Sequence, residues 1–193
     1  MADFFKRRRL LKQFLKPVIF FLVFLVFSAA TAMAYLEAGS KAPDFEVTDL
    51  QGKKVSLSDY KGRVIVLKIG TTWCPDCISQ TEDLIANGQF LKERDVVVVD
   101  VFVQETQNTV SSYLKGKEFK MSFVPLLDNG QVHRAYQVYL IPRLVIIDSA
   151  FRIVHDGLRM SGEDLQKKIA PLTLAVEPDG LQKEQGCEKP GPK

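Results

Sequence analysis

"RVIVLKIGTTWCPDCISQ", residues 63–80, decides the reading of this chain. From Val64 to Gly70 the run is apolar except for Lys68, and it is rich in β-branched residues. Such a run suits a central strand buried on both faces. Gly70, two threonines and Trp73 follow, and then Cys74 and Cys77 stand three residues apart. "PDCISQTEDLIANG", from residue 75, has helical character, with Ile78, Leu84 and Ile85 able to share a face. Pro75 suits a first helical turn, and Asn87-Gly88 is a stop signal. A buried strand therefore feeds a helix that begins at two cysteines.

That placement matters because thiols react as thiolates. A free thiol is mostly protonated at neutral pH, and a helix N-terminus shifts the balance toward the anion. Cys74 would stand at the helix start, where unpaired N–H groups and the macrodipole favour negative charge. Cys77 is one turn on, within reach of a small disulfide ring. Cys74 reads as the attacking thiol and Cys77 as the resolving thiol that releases a mixed disulfide. Trp73 would shield the pair from water and offer a recognition surface. A structural zinc site wants four ligands, usually in two pairs. The remaining donors are Cys187, His133 and His155, with no second CxxC and no HxxxH, so a metal site is not expected.

Outward from the motif, "DFEVTDLQGKKVSLSDY" reads as two short strands, 44–48 and 54–57, about a Gln51-Gly52 turn. "DVVVVDVFV", residues 95–103, is a second buried strand. "ETQNTVSSYLKGK" is a weaker helix on Val110, Tyr113 and Leu114. "FVPLLD" is extended and "QVHRAYQV" a short helix. "RLVIIDSAFRIVHDG" is a hairpin with strands at 144–148 and 152–155, and "SGEDLQKKIAPLTLAV" is a helix with Ser161 as N-cap, Asp164 three residues on, and Pro171 to bend or end it. The middle is a βαβ unit with a parallel pair, and the last strands are antiparallel. The expected domain is α/β with a mixed central sheet flanked by helices, spanning 38–176. The tail 177–193 is rich in Pro, Gly and charge and is expected to stay disordered.

The 193 residues suggest one domain plus extras, with 46% hydrophobic and 25% charged residues in ordinary globular balance. The net charge of +3 owes much to one N-terminal run, "KRRRLLK". This argues against nucleic acid or another polyanionic partner. Three cysteines make no disulfide scaffold. The basic start, the uncharged stretch from Val18 to Ala34 and the small-x-small triplet Ala32-Met33-Ala34 read as an export signal. The stretch is also near the lower limit of a membrane span. Residues 1–34 are thus a signal peptide or an uncleaved anchor, with membrane association through 18–34 in the second case. Either way the domain faces outward.

The chain resembles the extracytoplasmic thioredoxin-like proteins of the TlpA/ResA type. "GSKAPDFEVTDLQGKKVSLSDYKGRVIVLKIGTTWCPDC" is similar to that family's opening and "YLIPRLVIIDSAFRIVHDG" to its later segment. The resemblance implies a thioredoxin-like fold with an added N-terminal β-hairpin, and thiol–disulfide exchange with no cofactor beyond the Cys74–Cys77 couple. It implies reduction of exported disulfide proteins, with apocytochrome c the leading case, and electrons from a membrane donor of the DsbD/CcdA type. It makes Pro142 a cis proline opposite the CxxC, with Ile141 before it binding substrate backbone. Trp73, Pro75, Asp76, Lys68 and Gln80 become supporting residues of the site.

This sequence departs from the family at several points. Many relatives carry an aromatic residue at Ile69 or Gly70. Lys68 stands at the position of thioredoxin's buried acid, and Gln80 where ResA-type reductases carry a glutamate. Both acids that would manage protons on the resolving thiol are absent by this reading. Lys68 then has two readings: a cation that stabilises a nearby thiolate and makes the couple more oxidising, or a stem along the sheet whose amine reaches water. His133, His155 and the Glu82-Asp83 pair read as surface or satisfied residues, and Cys187 as a tail thiol. Two other functions share features with this chain. A peroxiredoxin shares the opening but not the Trp-led CxxC. A Sco-type copper carrier spaces its cysteines one residue further apart and needs a histidine near "YLIPR".

Overall fold

The computed structural model describes residues 35–173. The expected leader, the tail from 177 and Cys187 lie outside the described residues, among which no helix is long and apolar enough to cross a membrane. The chain from Leu36 onward folds around a seven-stranded sheet. In chain order come β1 (Glu46–Asp49), β2 (Lys54–Ser56), a 3-10 turn (Leu57–Tyr60), β3 (Ile65–Gly70), α1 (Pro75–Ala86), α2 (Gly88–Glu93), β4 (Val97–Phe102), α3 (Gln107–Leu114), β5 (Ser122–Leu127), α4 (Gln131–Ala135), β6 (Arg143–Ile147), β7 (Ile153–Gly157) and α5 (Gly162–Thr173). The spatial order is β2-β1-β5-β4-β3-β6-β7. β3, β4 and β5 are parallel, β6 runs antiparallel to β3 and β7 antiparallel to β6, and the β1–β2 hairpin joins antiparallel at β5.

β3 and β4 are buried at every position, Lys68 and Asp100 included. Alternation along them makes two cores. Ile65, Leu67, Ile69, Val97, Val99 and Val101 face the side covered by α4 and the N-terminal segment, with Phe45 and Tyr136. Val64, Val66, Val96 and Val98 face the other side, with Leu84 of α1, Leu91 of α2 and Leu165 and Ile169 of α5. The residues that follow on this second face are Lys68 and Gly70 on β3, and Asp100 on β4. That succession carries the chemistry to the end of the sheet where α1 begins.

Local details shift the expected boundaries. The first strand runs on to Asp49 because its carboxylate accepts the N–H groups of Gln51 and Lys53, closing the turn in which Gly52 takes φ 81°. The last hairpin's second strand is displaced to Ile153–Gly157. Asn87-Gly88 ends α1 as expected, but the chain enters α2 at once, a helix the sequence reading lacked. The buried face of α1 is Cys77, Gln80, Thr81 and Leu84, with Ile78 and Ile85 only half-buried, so the helix is rotated from the face read off its aliphatic residues. Ser161 caps α5 through Asp164 as expected, and the helix continues through Pro171 to Thr173.

Candidate active site

Cys74 is the N-cap of α1 and Pro75 occupies its first turn. The cap geometry aims the Cys77 N–H at Cys74 Sγ, 3.3 Å away, so the first thiol receives one of the helix's unpaired donors. The two thiols are free and differ in access. Cys74 is 8% exposed and Cys77 is wholly buried. Burial pushes the Cys77 thiol up to about 12, and the side-chain contact with Cys74 adds to this. The Thr71 N–H and the Lys68 ammonium pull the other way.

Across from Cys74 the Ile141–Pro142 bond is cis, as the family resemblance implied, and the Ile141 carbonyl oxygen lies 4.0 Å from Cys74 Sγ. Arg143, next in the chain, anchors this turn. Its Nε and Nη2 donate to the two carboxylate oxygens of Asp156 on β7, and Nη1 donates to the Gln137 carbonyl. Asp156 also accepts the Leu36 N–H. On the other side, Glu105 in the loop after β4 accepts both the N–H and the hydroxyl of Thr72. The cysteine loop is therefore tied to the β4–α3 loop just before Trp73.

Trp73 is 71% exposed, so it is an open surface rather than the shield expected over the thiols. Tyr139 and Leu140, just ahead of the cis bond, are exposed to a similar degree. Pro75 and Asp76 face solvent. Large apolar side chains left open beside a reactive thiol form a contact surface.

Lys68 departs most from expectation. An amine reaching water is ruled out, because the residue is wholly buried. In the β3–β4 register it stands opposite Asp100, and its Nζ donates to both carboxylate oxygens at 2.9 Å. The Phe102 ring centroid is 5.2 Å away. The idea that no acid serves this end of the sheet is thus corrected: a buried carboxylate is present, one strand over. Burial pushes Asp100 up from the usual carboxylate range, and the Lys68 charge opposes that.

Gly70 explains the missing aromatic residue. A Cβ there would come within 2.9 Å of Cys77 Sγ and 3.9 Å of Lys68 Nζ. Gln80 lies one turn beyond Cys77 on the buried face. Its Oε1 accepts the Met160 N–H at 2.8 Å, and its Nε2 has no hydrogen-bond partner among the described residues. It is a buried linker to the segment before α5. His133 is exposed and His155 half-buried on β7. Among the described residues no group of three His, Cys, Asp or Glu side chains gathers in a way that could hold a metal ion.

Of the residues singled out from the sequence, Cys74, Cys77 and Ile141 lie together beside the cis bond to Pro142. Sequence reasoning missed Asp100, Glu105, Tyr139, Leu140 and the Arg143–Asp156 clamp. One signal was available for Asp100: it is the charged residue within a buried strand, as Lys68 is, with the opposite sign.

Comparison with known proteins agrees with this geometry. The model of the AhpC/TSA family matches residues 38–157. The thiol-disulfide oxidoreductase ResA of Geobacillus kaustophilus is 31% identical over 149 residues, 76% of this chain and 82% of the relative. Among solved structures, one assigned as a thiol:disulfide interchange protein DsbE from Chlorobium tepidum superposes with a TM-score of 0.64 at 25% identity, covering 72% of this chain and 99% of that one. One assigned as a thiol-disulfide oxidoreductase from Bacteroides vulgatus gives 0.63 at 29%, covering 71% and 97%.

Proposed function

We propose that this chain, which belongs to the AhpC/TSA family and is a thiol–disulfide oxidoreductase of thioredoxin-like fold, reduces disulfides of exported proteins. Cys74 attacks a substrate disulfide and forms a mixed disulfide. Cys77 then attacks Cys74 Sγ, closing the enzyme's own disulfide and releasing the reduced substrate. The Cys74–Cys77 pair is the whole redox group. Trp73, Tyr139 and Leu140 contact the substrate's flanks, and the cis turn at Ile141–Pro142 receives its backbone.

The observation that carries this reading is the difference in access between the thiols. Cys74 caps a helix, meets solvent and faces the Ile141 carbonyl, while Cys77 is sealed behind it. A pair so arranged has one entry point and a fixed order of events.

The basic and then apolar segment 1–34 supports export, with the domain at 38–176 outside the inner membrane and the polar tail beyond it. The leading substrate is apocytochrome c, whose cysteines must be reduced before haem attachment. The electron source is a membrane donor of the DsbD/CcdA type. Expression of a Cys77→Ala chain tests the assignment. It should hold its substrate on Cys74 as a mixed disulfide that a reductant releases, and mass spectrometry then names the captured protein. A chain that captures nothing, while its reduced wild type consumes peroxide, would replace the reductase with a peroxidase.

A further inference from the structure

Among the described residues, the large apolar side chains left exposed are Tyr35, Trp73, Tyr139, Leu140 and Leu158. The last four share one end of the sheet. Trp73 adjoins Cys74, and Tyr139 and Leu140 lead into the cis bond whose Ile141 carbonyl faces that thiol. Leu158 follows Gly157, the last residue of β7, which pairs with Leu144 just after the cis turn. The chain also enters the domain here. The Leu36 N–H donates to Asp156 Oδ2 at 2.7 Å, and the same carboxylate grips Arg143, next to Pro142. The uncharged run read as a membrane segment ends at Ala34, and Tyr35 alone separates it from Leu36. Two residues of extended chain cover about 7 Å, so the sequence holds no spacer that would carry this end away from a bilayer.

We propose that the active-site end of the domain docks on the lipid bilayer, with Trp73, Tyr139, Leu140 and Leu158 entering the headgroup region. This rests on the reading of residues 18–34 as a retained membrane segment. The side chains suit a lipid surface. Trp and Tyr favour the membrane–water boundary because each has an apolar body and a hydrogen-bonding tip. The two leucines add apolar area. The contact is apolar rather than ionic. Beside the patch, Arg159 is held by Asp83, and the exposed charge between the cysteines is the acid Asp76. The basic side chains of Lys41, Lys61 and Arg152 surround a hollow at the β6–β7 turn, at the far end of the sheet.

Four such side chains bind a bilayer weakly by themselves, as a single acyl chain does, and stable attachment takes two signals. A covalent tether is the second signal, since it holds the patch near the surface at roughly millimolar effective concentration. Docking leaves Cys74 at the level of the headgroups. A partner lying in the membrane then reaches this thiol from the side, whereas a soluble protein must first lift the patch off the lipid.

Trp73 is the single tryptophan of the chain, so its fluorescence reports the docking directly. The test places the uncleaved full chain, made by cell-free synthesis, in phosphatidylcholine vesicles. Trp73 emission should move to the blue. Acyl-brominated phosphatidylcholine should quench about half of it, because a docked side chain lies about 5–10 Å into the headgroup boundary. Neither signal should change with salt or with added phosphatidylglycerol. Tyr139→Ser/Leu140→Ser, at sites 73% and 62% exposed and so tolerant of change, should lose most of the quenching. Quenching undiminished in that variant overturns the patch as the docking surface. A chain that floats with the vesicles while Trp73 emits as in water, open to iodide, overturns the docking alone. A chain that does not float with them overturns the membrane segment, and the docking falls with it. A blue shift that bromine leaves unquenched and that grows with the number of chains per vesicle assigns the patch to a second copy and overturns the lipid surface.

Discussion

Arg143 and Asp156 hold each other by two side-chain bonds across β6 and β7, the Nε–Oδ1 contact being 2.7 Å, with both side chains almost fully buried. Arg143 directly follows the cis bond that faces Cys74, so this pair fixes the turn proposed to receive substrate. Removing one partner of a buried pair strands the other charge, a loss of about 3–5 kcal/mol. Asp156→Ala should therefore lower unfolding stability by about that amount in urea titration. Among molecules that remain folded, the Michaelis constant for a peptide disulfide should rise more than turnover falls.

Trp73 has little to lose by truncation, since 71% of it is already in water. Trp73→Ala should leave stability within about 0.5 kcal/mol. Its effect should appear in substrate choice: kcat/KM falls for a disulfide-bonded protein or peptide and stays near the parent value for a small-molecule disulfide. An equal fall for both would remove Trp73 from the contact surface.

The α/β class and the reactive pair were legible because they rest on local signals, a largely apolar strand, a proline in a first helical turn and two thiols at its start, while the thioredoxin-like fold came from the family resemblance. What was not legible depended on strand register. Lys68 and Asp100 each sit alone among aliphatic residues, and only the alignment of Ile65 with Val97 brings them face to face. The burial of α1 was misread for a related reason. The helix face was drawn through its aliphatic residues alone, yet Gln80 spends its oxygen on Met160 and Thr81 donates to the Cys77 carbonyl, so both polar residues can go inside. Gly70 was noticed as a departure, but its use becomes visible only when Cys77 Sγ fills the space beside it.

Gly70→Ala would put a methyl group where that sulfur stands. Overpacking of this kind costs about 1–3 kcal/mol. The melting temperature of the variant should fall. Alkylation of Cys77 in the folded protein should become faster, because the sulfur is displaced from its seat.

The raised Cys77 thiol makes stability depend on pH in a definite sense. Its folded value is about 12 against an ordinary 9.0. A group raised on folding stabilises the protein fully below its unfolded value and loses that contribution as pH climbs through the folded one. The reduced protein should thus lose stability between about pH 9 and 12. The oxidised protein, which has no such thiol, should lack this component. Equal alkaline loss in both redox states, measured by denaturant titration, would assign it to other groups, Tyr136 among them.

The sealing of Cys77 also has a kinetic side. Whatever delivers electrons to this pair and whatever receives them must both meet Cys74, at the same patch beside Trp73 and Ile141. Donor and acceptor therefore take turns at one doorway and exclude each other. Steady-state rates should show parallel-line, two-stroke behaviour, with each partner inhibiting at high concentration by crowding out the other. Throughput would then depend on the ratio of the two partners as much as on the abundance of either.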